Sequence, residues 1–134
     1  MRIEEVEGIG PTYAAKLEAA GVRSTDDLLE RGAKPSGRQA LEEATGIGHA
    51  LILEWVNHAD LMRIDGVGSE YSDLLEAAGV DSPAELAQRN AGNLATTVQE
   101  VVAARPSIVR RTPSEAEIQG WIDQSKGLSR IVEH

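Results

Sequence analysis

The chain of 134 residues has no Cys and no Phe, and only two Trp and two Tyr. Without Cys, disulfides and thiolate metal sites are excluded. With so few aromatics the core must rest on Leu, Ile, Val and Ala, which suits closely packed helices. No apolar run approaches the roughly 18 residues a membrane span needs. The N-terminus lacks the basic-then-apolar layout of a signal peptide. A cytoplasmic protein with no membrane partner is therefore expected. Positive charge is also short: 13 Lys and Arg face 22 Asp and Glu, for a formal net charge of −9. Backbone binding to nucleic acid depends on Lys and Arg displacing counterions. Such a function is thus confined to local patches, unless the acidity is a general surface adaptation. Nothing alternates with period two for long, so an all-α fold is expected.

Catalytic signatures are missing as well. The three histidines are His49, His58 and His134. His49 and His58 are too far apart for a one-face metal pair, and there is no H-E-x-x-H. No Asp-rich calcium loop is present. No strand precedes any Gly-x-Gly, as a nucleotide fold would require, and no Ser or Thr sits in a nucleophile elbow. Asp26-Asp27 and Glu42-Glu43 read as caps and solvated faces. The expectation is a protein that is not an enzyme, with no catalytic residues, no metal and no cofactor.

What is present is a stretch written twice. Val6 to Val22 reads V-E-G-I-G-P-T-Y-A-A-K-L-E-A-A-G-V, and Ile64 to Val80 reads I-D-G-V-G-S-E-Y-S-D-L-L-E-A-A-G-V. Each copy places a Gly-apolar-Gly hairpin before a helix and a Gly after it, suited to a left-handed cap. Sliding Ile3–Gly32 by 58 positions onto Leu61–Asn90 gives twelve identities in thirty. An offset of 66 aligns Trp55 and Val56 with Trp121 and Ile122. The chain thus reads as units over residues 1–60 and 61–127, packed as one domain on a shared core, with a frayed tail at 128–134. All four aromatics fall in matched pairs, Tyr13 with Tyr71 and Trp55 with Trp121. Matched residues of this kind are read as core rather than as base-stacking platforms.

The local signals predict the elements in order. Pro11 opens a helix that Gly21 stops. Ser24 with Asp27 makes a capping box before a short helix ending near Gly32. Ala33 to Gly37 is turn-like, and Gln39 to Ala44 is helical. Gly46-Ile47-Gly48 precedes an amphipathic helix with Leu51, Ile52, Trp55 and Val56 on one face. Ser69 to Ala78 is the next helix, then Ser82 caps one that Pro83 begins. Asn93 to Ala103 is helical, Arg105 to Arg111 is a basic connection, and Thr112-Pro113-Ser114-Glu115 is a capping box for the last helix, which ends near Lys126.

The stretches G-I-G-P-T-Y-A-A-K-L and G-V-G-S-E-Y-S-D-L-L resemble the helix-hairpin-helix motif of DNA polymerases, ligases, nucleases and repair proteins. The segments L-E-E-A-T-G-I-G and L-I-L-E-W-V-N-H-A-D-L-M-R-I, with the two A-A-G-V endings, are similar to an uncharacterised prokaryotic family known only as a domain of unknown function. The resemblance implies two pseudo-repeated helix-hairpin-helix units of SAM-like fold. It also implies that hairpin and helix-start amides hold a DNA or RNA backbone phosphate without reading sequence. By position, Gly8, Ile9 and Gly10 match the motif, and Thr12 and Tyr13 supply helix-start amides, with Lys16 as the nearest cation. Thr12 stands where DNA-binding members often have Lys or Arg. In the second copy Glu70 holds that place, and a carboxylate there repels phosphate, so the second hairpin is expected to be structural and the first is the one that could bind. The third hairpin lacks the motif's leading apolar residue, and its His49 is read as an exposed residue closing a loop.

Cations that break the duplication cluster at Lys34 with Arg38, and at Arg105 with Arg110 and Arg111. They either form one basic patch on an acidic body or stand as two solvated loops paired with some of the carboxylates. The alternative reading is an acidic interaction module that selects a basic protein partner. The sequence sets no oligomeric state.

Overall fold

Glycines and side-chain caps cut the chain into eight α-helices and one 3-10 turn, with no strand beyond an isolated bridge between Arg2 and Ser24. The computed structural model describes residues 1–134. No helix is long and apolar enough to cross a membrane. The chain divides into two compact units, Met1–Asp60 with Ile131–His134, and Leu61–Arg130.

The first unit begins with the 3-10 turn Ile3–Glu5 and α1, Gly10–Ala19. It continues with α2, Thr25–Gly32, α3, Pro35–Thr45, and α4, His49–Leu61, whose last residue is the first of the second unit. Helix α1 packs on the 3-10 turn and on α3, and α2 packs on α3. Ile3, Leu17, Val22, Leu28, Leu41, Ile52 and Val56 are fully buried. Helix α1 ends as expected from Gly21, which has φ +90°. The Gly21 N–H donates to Glu18 O and the Val22 N–H to Leu17 O, at 3.0 and 2.9 Å. This is a Schellman motif, closed by the buried Leu17 and Val22. Ser24 caps α2 by accepting from the Asp27 N–H, but Asp27 returns its carboxylate to Arg23 N–H rather than to Ser24.

The second unit holds α5, Ser69–Ala77, α6, Pro83–Leu86, α7, Ala91–Ala104, and α8, Glu115–Lys126. Helix α8 packs on both α6 and α7, and α5 packs on α7. Leu74, Leu75, Val80, Leu86, Leu94, Val98, Ile118, Trp121 and Ile122 form its buried cluster. Gly79 has φ +91°, and Gly79 and Val80 donate to Glu76 O and Leu75 O. Ser82 accepts from Glu85 N–H. Matched arginines also do matched work: Arg31 donates to Ala20 O and Arg89 to Ala78 O, each at the end of the preceding glycine-capped helix.

Four local expectations are corrected. Residues Pro35–Gly37 are helical rather than a turn, because Pro35 takes the first position of α3 after the extended Lys34. The missing proline N–H costs nothing there. Helix α7 begins at Ala91, because the Asn90 side chain caps it through Asn93 N–H. The last capping box lies two residues later than Thr112 and Glu115 imply: Ser114 and Glu117 form it reciprocally. Both Thr112 and Ser114 have an acid three residues on; it is Ser114 that donates its N–H to the Glu117 carboxylate and accepts the Glu117 N–H on its hydroxyl. The segment 131–134 is not loose, since Val132 is buried and Glu133 bonds at both main-chain ends within the first unit.

Candidate functional site

In the first hairpin Gly8 and Gly10 have φ of +87° and +55°, so both favour glycine. Ile9 is buried between them, and its N–H donates to Val6 O at 3.1 Å. A Cβ on Gly8 would stand 3.5 Å from the Trp55 indole nitrogen. Trp55 in turn meets Tyr13 with ring centroids 5.1 Å apart and planes tilted by 59°. Tyr13 is thus half-buried as a wall of the unit, and contacts of this type add about 0.5–1.5 kcal/mol beyond burial. Gly8, Gly10, Thr12 and Lys16 remain exposed.

The second hairpin shares the first glycine and the buried apolar plug but not the second glycine: Gly68 is extended, with φ −103°, and caps α5, whereas Gly10 is left-handed and begins α1. Gly66 has φ +92°, and Val67 is buried and donates to Ile64 O at 3.0 Å. A Cβ on Gly66 would lie 3.1 Å from the Trp121 indole nitrogen. Trp121 meets Tyr71 at 5.2 Å and 49°. All four matched aromatics are therefore paired inside their own units.

Beside this hairpin lies a concavity of about 430 Å³ lined by Gly66, Gly68, Ser69, Glu70, Tyr71, Arg110 and Arg111. Glu70 does not stand bare there. Its carboxylate accepts the Arg110 main-chain N–H at 2.8 Å, Nε at 2.8 Å and Nη2 at 2.7 Å. These bonds hold the Glu70 carboxyl below, and the Arg110 guanidinium above, their ordinary ranges. The Tyr71 hydroxyl donates to Arg111 O at 2.9 Å, fixing the backbone that presents both arginines. Arg111 makes a two-pronged bond to Glu117 at 2.7 and 2.8 Å. Ile108 and Val109 are buried, which anchors the segment behind them. The basic connection is thus pinned through its two terminal arginines, Arg110 to Glu70 and Arg111 to Glu117 and the Tyr71 hydroxyl.

Glu117 accepts Arg111 first and Ser114 N–H second, and its carboxyl is lowered to about 2. A carboxyl depressed in the fold contributes stability above its ordinary value, and that stability is lost as pH falls through the folded value. The window therefore runs from 4.5 down to about 2. The side-chain carbon of Glu117, followed by NMR, is expected to titrate near the lower limit. A midpoint at the ordinary value would contradict the pairing.

The other expected cations separate. Lys34 is exposed at the start of α3. Arg38 is not a surface cation but is buried, and it donates to the carbonyls of Gly32, Ala33 and Glu133 at 2.9, 3.2 and 2.7 Å. Its position on α3, rather than in a loop, turns it inward; the missed helix start at Pro35 hid this. His49 Nδ1 lies 3.3 Å from the Glu42 carboxylate, in a hollow also lined by Glu43. That surrounding is unsuited to an anion. The Glu70–Arg110 pair joins residues 40 apart, and no local pattern marks it.

No curated protein and no solved structure matches this chain. A protein family described as a domain of unknown function, DUF4332, matches residues 7–128, and the chain belongs to that family.

Proposed function

We propose that the chain is a non-enzymatic module of two helix-hairpin-helix units that contacts DNA or RNA backbone phosphates without reading sequence. The observation that carries this reading is the cover of Arg110 over Glu70 beside the second hairpin. It removes the bare carboxylate that argued against phosphate there, and places two guanidinium groups next to the start of α5. Main-chain N–H groups in a helix's first turn have no partner inside the helix and favour anions. The first hairpin offers fewer such groups, since Pro11 has no N–H and Gly10 is left-handed where Gly68 is extended, but Lys16 lies one turn on and Lys34 is exposed. The matched left-handed Gly8 and Gly66, the matched helix-ending Gly21 and Gly79, and the two Tyr–Trp pairs support the tandem arrangement.

A second reading, an acidic module for a basic protein partner, is favoured by the net charge of −9 and by the carboxylates already engaging Arg110 and Arg111. Anisotropy titrations with labelled single- and double-stranded oligonucleotides separate the two. Binding is expected at about 50 mM salt and is expected to fall steeply by about 200 mM. Arg110→Glu combined with Arg111→Glu should abolish it if the second hairpin binds. Lys16→Glu combined with Lys34→Glu should do so if the first does. Lack of binding at the lower salt leaves the acidic module as the reading that stands.

A further inference from the structure

Residues 131–134 carry an observation independent of the nucleic-acid reading. They have no regular secondary structure, yet they belong to the first unit, rejoining it after the whole of Leu61–Arg130. Val132 is buried to 1% exposure between the exposed Ile131 and Glu133. The Glu133 N–H donates to Ala33 O at 2.7 Å, and its carbonyl accepts Arg38 Nη2 at 2.7 Å. Both main-chain polar groups of one residue are thus met by one place on the unit. The Glu133 side chain itself stays in solvent. The receiving end is fixed in advance, because Arg38 Nη1 is tied to Gly32 O and Ala33 O within the α2–α3 junction.

We propose that the α2–α3 junction is a docking groove for an extended peptide, and that segment 131–134 of this same chain is its resident occupant. The groove recognises one apolar side chain that it buries, followed by a residue held through its backbone. Capture of this kind, main chain for affinity and one pocket for selectivity, is how strands and peptides are added to a prepared surface. A buried guanidinium left without its third carbonyl is costly, so the groove is stable filled and strained empty. The occupant is tethered, which gives it a high effective concentration over any peptide in solution.

Two measurements on the full chain test this. In the unaltered protein the Glu133 amide is expected to exchange with deuterium at least tenfold more slowly than the amides of its exposed neighbours. A synthetic peptide spanning residues 127–134 is then titrated against the full chain and against full-length Val132→Asp. It is expected to bind the variant at least tenfold more tightly, because a charged residue 132 vacates the pocket. The same peptide carrying Val132→Asp is expected to bind neither. Unprotected exchange at Glu133 overturns the proposal, and so does peptide binding of equal strength to both proteins or to neither. Should Val132→Asp fail to fold, Val132→Ala replaces it, and the exchange measurement stands regardless.

Discussion

Gly37→Ala is expected to destabilise the first unit by about 3 kcal/mol or more. In an open helix the same change is favourable by up to about 1 kcal/mol, because Ala loses less backbone entropy than Gly. Here a Cβ would lie 2.0 Å from Arg31 O and 3.2 Å from the carbonyl carbon behind it. The obstacle is main chain in the last turn of α2, so no side chain can swing away. Relief requires α2 and α3 to part, and both bury leucines, Leu28 and Leu41, at no exposure. For a unit of this size the loss corresponds to a fall in melting midpoint of more than about 12 °C. Gly120→Ala in α8 is the control, since a Cβ there meets nothing within 4 Å, and that variant should be unchanged or slightly more stable. Thermal unfolding followed by circular dichroism, with amide exchange in α2 and α3, reads both. A Gly37→Ala chain as stable as the unaltered one would contradict the close approach of these helices.

Arg38→Met is expected to cost the first unit about 3 kcal/mol or more, since each buried carbonyl left without its donor costs about 1–3 kcal/mol. Methionine matches the length of the side chain but leaves the carbonyls of Gly32, Ala33 and Glu133 without their donor. Arg38→Lys should recover little, because one ammonium cannot reproduce the two-pronged reach of a guanidinium. The same variants separate structure from binding. A cation that touched nucleic-acid phosphate would lower the salt dependence of binding by about one unit when removed, with stability kept. For Arg38 the opposite pair of results is expected: lower stability, and an unchanged salt slope once the protein is folded. Urea unfolding and the oligonucleotide titration measure the two.

Much of the fold could be read from residues whose effect is local. Gly21 and Gly79 announce their helix ends because a left-handed residue is required there, whatever surrounds it. Ser24 and Ser82 announce helix starts because a hydroxyl two or three residues before a run of amides has few other uses. The recurrence of Tyr13, Tyr71, Trp55 and Trp121 in step with the apolar frame marks them as core, but that each Tyr meets the Trp of its own unit depends on residues distant in sequence. What could not be read depends on residues distant in sequence. Arg38 looks like any surface cation until Gly32, Ala33 and Glu133 are brought around it, the last of these 95 residues away. Glu70 looks repulsive to phosphate until Arg110 folds over it. The start of α3 was legible and was missed, because the lone Gly37 two residues after Pro35 suggested a turn; the real reason for that glycine is the approach of Arg31.

The aromatic arrangement has a practical consequence. Each unit holds one tryptophan against one tyrosine, and the chain has no other aromatic side chain of that kind. Chains carrying Trp121→Phe or Trp55→Phe would therefore each emit from a single indole, one reporting only the first unit and the other only the second. Intrinsic fluorescence can then say whether the halves melt together or in turn, with no dye attached to a surface already crowded with charge.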